Sequence, residues 1–396
     1  MRPAKPTPPD ATRPEYLQGL IDFARDLGLH RVGVTDASVL DRSRRELVRR
    51  RDAGLSDTMG FTYRDPIRST DPTRAVEGAR SVFVAALSYH LDDEREGIDH
   101  VETSRESRSP RLNARVARYA RHDFYTPLRS ALQKVALRLR ADGFRAVVFA
   151  DENDLVDREV AWRAGLGWFG KNANLLLPGA GSWFVLGSVV TDAQLVVADK
   201  TVPDGCGSCR ACLDDCPTGA IVEPGVVDAR RCLAWLVQKP GVFPREFRVA
   251  LGDRIYGCDD CQESCPPTVR LADRVRGQVH IEGPGGEIDV LDVLAATDDQ
   301  LLDRYGRWYL ANRDPRWLRR NALVILGNLV ADAGIGSIDD RVEGTLRKYL
   351  VGDDPLLRSH AAWAAHRIGR VDLLALVVDD HDPDVREELI ALGSIS

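Results

Sequence analysis

CGSCRACLDDCP, residues 206–217, is the stretch on which the reading of this chain turns. Cys206, Cys209 and Cys212 are spaced two residues apart, and Cys216 follows three residues later, directly before Pro217. Two-cluster bacterial ferredoxins use that run: three thiolates hold one cubane, and the fourth, next to proline, reaches the other. Downstream, Cys258, Cys261 and Cys265 come before Pro266, with Cys232 alone between the bunches. Swapped ligation then assigns Cys206, Cys209, Cys212 and Cys265 to one 4Fe-4S cluster and Cys216, Cys232, Cys258 and Cys261 to the other. No thiol is left over. Zinc competes for paired Cys-x-x-Cys motifs, but zinc knuckles do not need a proline-ended run of this kind twice. Disulfides would suit a secreted protein, whereas eight cysteines confined to residues 206–265 in two tight bunches suit metal.

The rest of the chain has to explain what uses the electrons, because a cluster carrier needs only the cysteine segment. At 396 residues, 44% hydrophobic and 29% charged, the composition is that of a multi-domain globular protein. The net charge of −6 demands no nucleic acid and does not exclude a local basic face. No apolar run reaches the ~20 residues of a membrane span. The Pro-rich start has no signal-peptide core, so residues 1–15 read as a disordered lead-in to a cytoplasmic protein.

Within a first domain read as 16–198, residues 16–150 alternate helix-like and strand-like stretches: Tyr16 to Leu29 at helical spacing, HRVGVTD as a strand, SVFVAALSY (81–89) as a buried strand, a helix from Tyr125 to Asp142, then the strand FRAVVFAD (144–151). This predicts an α/β domain with helices packed on a sheet. Between them the Arg/Ser-rich stretch 93–113 reads as a mobile loop. The cysteine segment occupies 199–275 as a ferredoxin-like domain. From 276 to 396 the chain reads as helical, and DDPLLRSHAAWAAHRIG and DHDPDVREELIALG share an Asp-Pro turn, an Arg and an apolar-faced helix, as stacked HEAT-like repeats do. GLGWFG (165–170) comes close to the dinucleotide fingerprint, but it follows the helix-like DREVAWRA and lacks the acid expected about twenty residues on.

RAGLGWFGKNANLL (163–176), GSWFVLGSVVTD (181–192), CGSCRACLDDCPTGAI (206–221), DARRC (228–232) and GCDDCQESCP (257–266), in this order, resemble epoxyqueuosine reductases. So do DPTRAVEGARSVFVAALSYH (71–90), RYARHDFYTPLRSAL (118–132) and the Arg320-Asn321 pair; the resemblance spans most of residues 16–390. It implies an N-terminal cobalamin-binding domain, a two-cluster insert that feeds it electrons, and helical repeats that grip a tRNA anticodon stem-loop. The reaction implied is reduction of epoxyqueuosine to queuosine at the tRNA wobble base, with reduced flavodoxin or ferredoxin as donor and no membrane partner.

By the same resemblance Asp151 matches the general acid, which would protonate the epoxide oxygen as the ring opens. Its competing reading is a turn or N-cap acid. Here the chain departs from the family, which usually continues Asp-x-x-Pro and then Glu: this sequence has Asp154 for the proline and Asp157 for the Glu. The resemblance also puts Gly165, Gly167, Trp168, Gly170, Lys171, Asn172, Gly181, Ser182 and Trp183 along the corrinoid, against the plainer reading of turn glycines and core tryptophans. Tyr119, Arg121 and His122 are candidates to face substrate. In the tail, Arg313, Arg316, Arg319 and Arg320, interleaved with Trp308, Tyr309 and Trp317, suit phosphate contact and base stacking. The alternatives are a corrinoid iron–sulfur reductase for a small molecule and a bare electron carrier.

Overall fold

The computed structural model describes residues 8–90, 112–271, 285–334 and 339–395. The expected mobile loop, 93–113, lies almost wholly outside them. The chain forms two compact units, each assembled from separated segments: Met1–Asp92, Asp123–Arg230 and Asp260–Glu282 in the first, and Asp93–His122, Arg231–Asp259 and Gly283–Ser396 in the second.

The first unit is built on a four-stranded sheet in the order Arg31–Asp36, Ser81–Ser88, Phe184–Thr191, Ala146–Phe149. Every neighbouring pair is antiparallel, so the helix–strand alternation of the sequence does not produce a parallel sheet. Ser81–Ser88 is buried along its whole length, which explains its unbroken apolar run. Its side chains alternate between faces: Val82, Val84 and Ala86 pack with Val160, Ala161 and Ala164 of the helix Asp157–Arg163 and the turn after it. The long helix Tyr125–Ala141 packs on Phe184–Thr191 and Ala146–Phe149. Gly187 permits that approach, since a Cβ there would lie 2.6 Å from Leu132 Cδ1. The disordered lead-in expected over 1–15 does not hold for residues 10–15. Ala11 is buried, Asp10 accepts the Thr12 N–H, and a helix begins at Pro14.

In the second unit the strand Asn113–Val116 lies between Arg254–Tyr256, parallel, and Glu287–Asp289, antiparallel. Around it pack the helices Arg316–Ala333, Asp340–Leu350, Pro355–Arg367 and Pro383–Ala391. Gly327 brings two of these helices together, because a Cβ there would meet the Trp363 ring at 2.9 Å. The repeated Asp-Pro turns are helix starts. Asp354 caps the N–H of Leu356 and Asp382 that of Asp384, each with proline at the first helical position. Arg358, in the first of these motifs, pairs with Asp380, which opens the second.

Candidate functional site

None of the eight cysteines forms a disulfide. In the first unit, Cys206 and Cys209 act electrostatically on both Cys212 and Cys265, and Cys265 acts on Cys212. Burial, and then Cys265, Cys206 and Cys209, push the Cys212 thiol up to about 11. Burial also raises Cys265, opposed by the Thr268 hydroxyl and N–H. Held out of water, the Cys212 and Cys265 thiols favour their protonated form, so iron must displace those protons to bind. The donor set is chemically apt for a cubane. Cys216 sits in the same unit, and its Sγ accepts the Ala220 N–H at 3.2 Å.

The Gly-rich segments upstream brace this centre. Trp168 is buried against Cys206, Cys265, Leu176 and Val202, and Gly205 leaves room for its ring: a Cβ would stand 2.6 Å from Cζ2. Lys171 Nζ donates to the carbonyls of Gly207 (2.6 Å) and Cys209 (2.8 Å). Asn172 Nδ2 donates to Cys261 O at 2.9 Å. Ser182 Oγ donates to Gln262 Oε1 at 2.9 Å and lies 3.1 Å from Thr268 Oγ1, the hydroxyl that faces the Cys265 thiol. Gly181 has φ 77°, and a Cβ would fall 2.3 Å from Thr268 Cα. Gly167 and Gly170 are demanded by the tight hairpin of Trp168–Phe169 and Leu175–Leu176, where a Cβ would meet Leu176 at 2.1 and 2.2 Å. Gly165, φ 73°, turns the chain out of the preceding helix. Trp183 is buried and stacks on His90, with ring centroids 4.9 Å apart. Each residue singled out along the corrinoid thus has work within the chain, much of it beside the cysteines.

Asp151 follows the strand Ala146–Phe149, which is shorter than the predicted 144–151. It sits in the left-handed region at φ 58°, where aspartate is tolerated better than most side chains. Arg129 Nη2 donates to Ala150 O at 2.5 Å and fixes the chain just before it. Although Asp151 keeps an exposed surface, crowding around its carboxyl raises its pKa, while Arg129 and then Arg158 oppose the shift. Burial, and then the charge of Asp151, hold Asp157 well above the usual carboxylate range; the Asp151 N–H and Arg158 act the other way. Asp157 Oδ1 is sealed from solvent without a hydrogen-bond partner. Burial, Asp151 and Asp157 in turn raise the Tyr125 hydroxyl. Asp151, Asp157, Tyr125, Arg129 and Arg158 therefore form one acidic centre with protons to hold. Asp151 is not an N-cap, since the next helix is preceded by Val156 and has no side-chain cap. At the departure from the family pattern, Arg68 Nη2 grips Asp154 Oδ2 at 2.9 Å and Leu155 is buried, so the loop is anchored without proline.

The second unit corrects several expectations. Arg320 is fully buried and spends its guanidinium on backbone carbonyls. Arg319 Nη2 donates to Ala296 O. Trp308 stacks on Tyr256 and Tyr305, and Trp317 Nε1 donates to Ala311 O. These four side chains build the core and leave Arg313, Arg316 and the 58%-exposed Tyr309 as the outward part of the proposed RNA face. Arginines interleaved with aromatics in a sequence do not distinguish an arginine in solvent from one stretched along a buried loop. Arg121 Nε donates to Val116 O, Tyr119 packs on Tyr256, and Arg307 donates to the carbonyls of Ala120 and His122, so RYARH is built into its unit.

A family model described as a 4Fe-4S double cluster binding domain matches residues 205–268. Epoxyqueuosine reductase of Xanthomonas campestris pv. campestris is 34% identical over 92% of this chain and 98% of its own. The chain belongs to the epoxyqueuosine reductase family. The Pseudomonas aeruginosa member is 32% identical over 92% of this chain and 97% of its own. A crystal structure of epoxyqueuosine reductase with an epoxyqueuosine-modified tRNA-Tyr stem loop aligns with TM-score 0.81 and 26% identity, covering 96% of this chain and 97% of that one. The Bacillus subtilis enzyme, solved with an aspartate-bearing catalytic loop swung out of the active site, aligns with TM-score 0.81 and 26% identity over 96% of this chain and 99% of that one. An epoxyqueuosine reductase with this double-cluster segment is an oxidoreductase whose thiols serve iron–sulfur clusters rather than zinc. Tyr125, Arg129 and Arg158 were not singled out from sequence. The clue to them was the helical spacing that places Tyr125 and Arg129 on one face of a helix, one turn apart.

Proposed function

We propose that this chain reduces epoxyqueuosine to queuosine in the anticodon loop of tRNA, taking electrons from reduced flavodoxin or ferredoxin through two 4Fe-4S clusters to cobalamin. Family membership carries the reading, and the acidic centre around Asp151 supports it. The conversion consumes two electrons and two protons per epoxide, the oxygen leaving as water. Cobalamin, when bound, supplies the reducing metal centre. The chain's own part is to hold a proton on the Asp151 carboxyl, whose raised pKa suits an acid, and to deliver it to the epoxide oxygen as the strained ring opens. Arg129, bonded to Ala150 O, and Asp157, which accepts the Asp151 N–H, fix the backbone that carries that carboxyl.

The first cluster takes Cys206, Cys209, Cys212 and Cys265, and the second takes Cys216, Cys232, Cys258 and Cys261. We read residues 16–198 as the cobalamin-binding domain, 199–275 as the cluster domain and 276–396 as HEAT-like repeats in a cytoplasmic enzyme. Among the described residues no helix is long and apolar enough to cross a membrane. The loops Gly165–Asn172 and Gly181–Trp183 remain the surface proposed for the corrinoid. Their side chains are engaged within the chain. Incubation of the reconstituted protein with reductant and epoxyqueuosine-bearing tRNA, followed by nucleoside mass spectrometry, tests the proposal. Absence of queuosine from protein that holds both clusters and cobalamin would sink it.

A further inference from the structure

Arg320 and Asn321 lie on the buried face of the helix Arg316–Ala333, and both side chains are wholly buried. The Arg320 guanidinium donates to the carbonyls of Leu236 (2.8 Å), Lys239 (2.8 Å) and Gly241 (2.7 Å), and to Asn321 Oδ1 (2.9 Å). Asn321 Nδ2 donates to Val237 O at 2.9 Å and Ile255 O at 3.2 Å. These acceptors sit next to two cysteines of the same unit. Cys232 precedes the short helix Leu233–Leu236, and its carbonyl accepts the N–H groups of Trp235 and Leu236. Ile255 belongs to the strand Arg254–Tyr256, from which the chain turns through Gly257 into Cys258. That turn is tightly fitted: Gly257 has φ 76°, and a Cβ would lie 2.4 Å from Ala117 Cβ.

The charge is as unusual as the bonding. Arg248, equally buried, is matched by Glu388 at 2.9 Å, whereas every acceptor of Arg320 is a neutral carbonyl or amide oxygen. Burial and the neighbouring Arg248 push Arg320 down to about 9, which still leaves a cation at neutral pH. Burying a charge without a counter-ion is unfavourable. Cysteine binds iron as thiolate, so a loaded site at Cys232 and Cys258 brings negative charge to the unit that holds this cation.

We propose that Arg320 and Asn321 are positioning residues for the second cluster, tying the Cys232 and Cys258 segments to one helix and setting an unneutralised cation behind them. This rests on reading the eight cysteines as two cubane sites, and iron analysis of the wild-type holoenzyme tests that reading separately, with about eight irons per chain expected. The proposal itself is tested by Asn321→Leu, which should purify with about four irons and one cubane signal in the reduced protein. Asn328→Leu is the control. Asn328, on the same helix, bonds in the same way to Arg248 O (2.8 Å) and Gly252 O (3.1 Å), away from both cysteines, and its loss should lower Tm while keeping all the iron. Should Asn321→Leu fail to fold, Arg320→Lys keeps the charge but must drop at least one bond. Chelator should then remove half of its iron at least tenfold faster than from wild type and leave the other half unchanged. Full iron in Asn321→Leu, equal loss in the Asn328→Leu control, or uniform release from Arg320→Lys would each overturn the proposal.

Discussion

Ionised Asp151 pushes the buried carboxyl of Asp157 further toward its protonated form. Asp157 therefore binds a proton in the folded protein that it would release in the unfolded chain, and linkage fixes the sign: wild-type stability falls as pH rises from the ordinary carboxylate value through the raised one. Asparagine is neutral at every pH. Thermal melts of Asp157→Asn and wild type across pH 4–8 should therefore show the variant gaining relative stability as pH rises, then levelling off. A gap that does not change with pH would mean that Asp157 titrates normally.

Asp151→Asn keeps a side chain that tolerates the left-handed conformation but cannot give up a proton. We expect turnover of epoxyqueuosine-tRNA to drop by roughly 10²–10⁴-fold, with cluster absorbance intact. Wild-type rates from the variant would remove Asp151 from the chemistry.

Trp168 shields Cys206 and Cys265, and Gly205 makes room for its ring. Trp168→Ala should cost about 3–5 kcal/mol and let air bleach part of the visible cluster absorbance faster than in wild type. Gly205→Ala, which forces the ring to shift, should give a milder form of the same defect. Bleaching at the wild-type rate in both variants would show that the ring protects nothing.

Tyr309, Arg313 and Arg316 are the outward members of the basic-aromatic stretch. Arg313→Ala and Arg316→Ala should each weaken tRNA binding evenly across sequences and lower the salt slope by about one. Tyr309→Ala should cost about 1–3 kcal/mol if a base stacks on it. Filter binding over a salt series measures all three, and unchanged slopes would move the RNA face elsewhere.

His360 is fully buried, and its Nε2 accepts the Phe243 N–H at 3.1 Å. Burial, and then Arg248, hold its pKa well below the usual histidine value. Its contribution to stability is present above the ordinary histidine pKa and is lost as pH falls toward the depressed one. Replacing it with glutamine should flatten the acid limb of a Tm-against-pH curve below about pH 6.5; an unchanged limb would rule His360 out as its source.

Some of this was legible in the sequence because local spacing encodes it. The cysteine runs, the apolar strand Ser81–Ser88 and the Asp-Pro helix starts each declare themselves within a dozen residues. What stayed hidden depends on partners far along the chain. Nothing near Asn113 announces that its strand pairs with Arg254–Tyr256 and Glu287–Asp289. Nothing in NRDPRWLRRN says that Arg320 turns inward while Arg316 stays out. The acidic centre was half visible: Asp151 stood out by resemblance, but only the fold brings Arg129 and Asp157 to it.

The Arg320–Asn321 clasp also has a consequence in time. The ribosome delivers Cys232 and Cys258 well before the helix that steadies them, while the first cluster's cysteines are complete by Cys265. Iron can therefore be loaded at one centre during synthesis, whereas the other must wait until the C-terminal helices have emerged and folded. Nascent chains stalled before residue 316 should accordingly hold one cubane, and chains released after it should hold two.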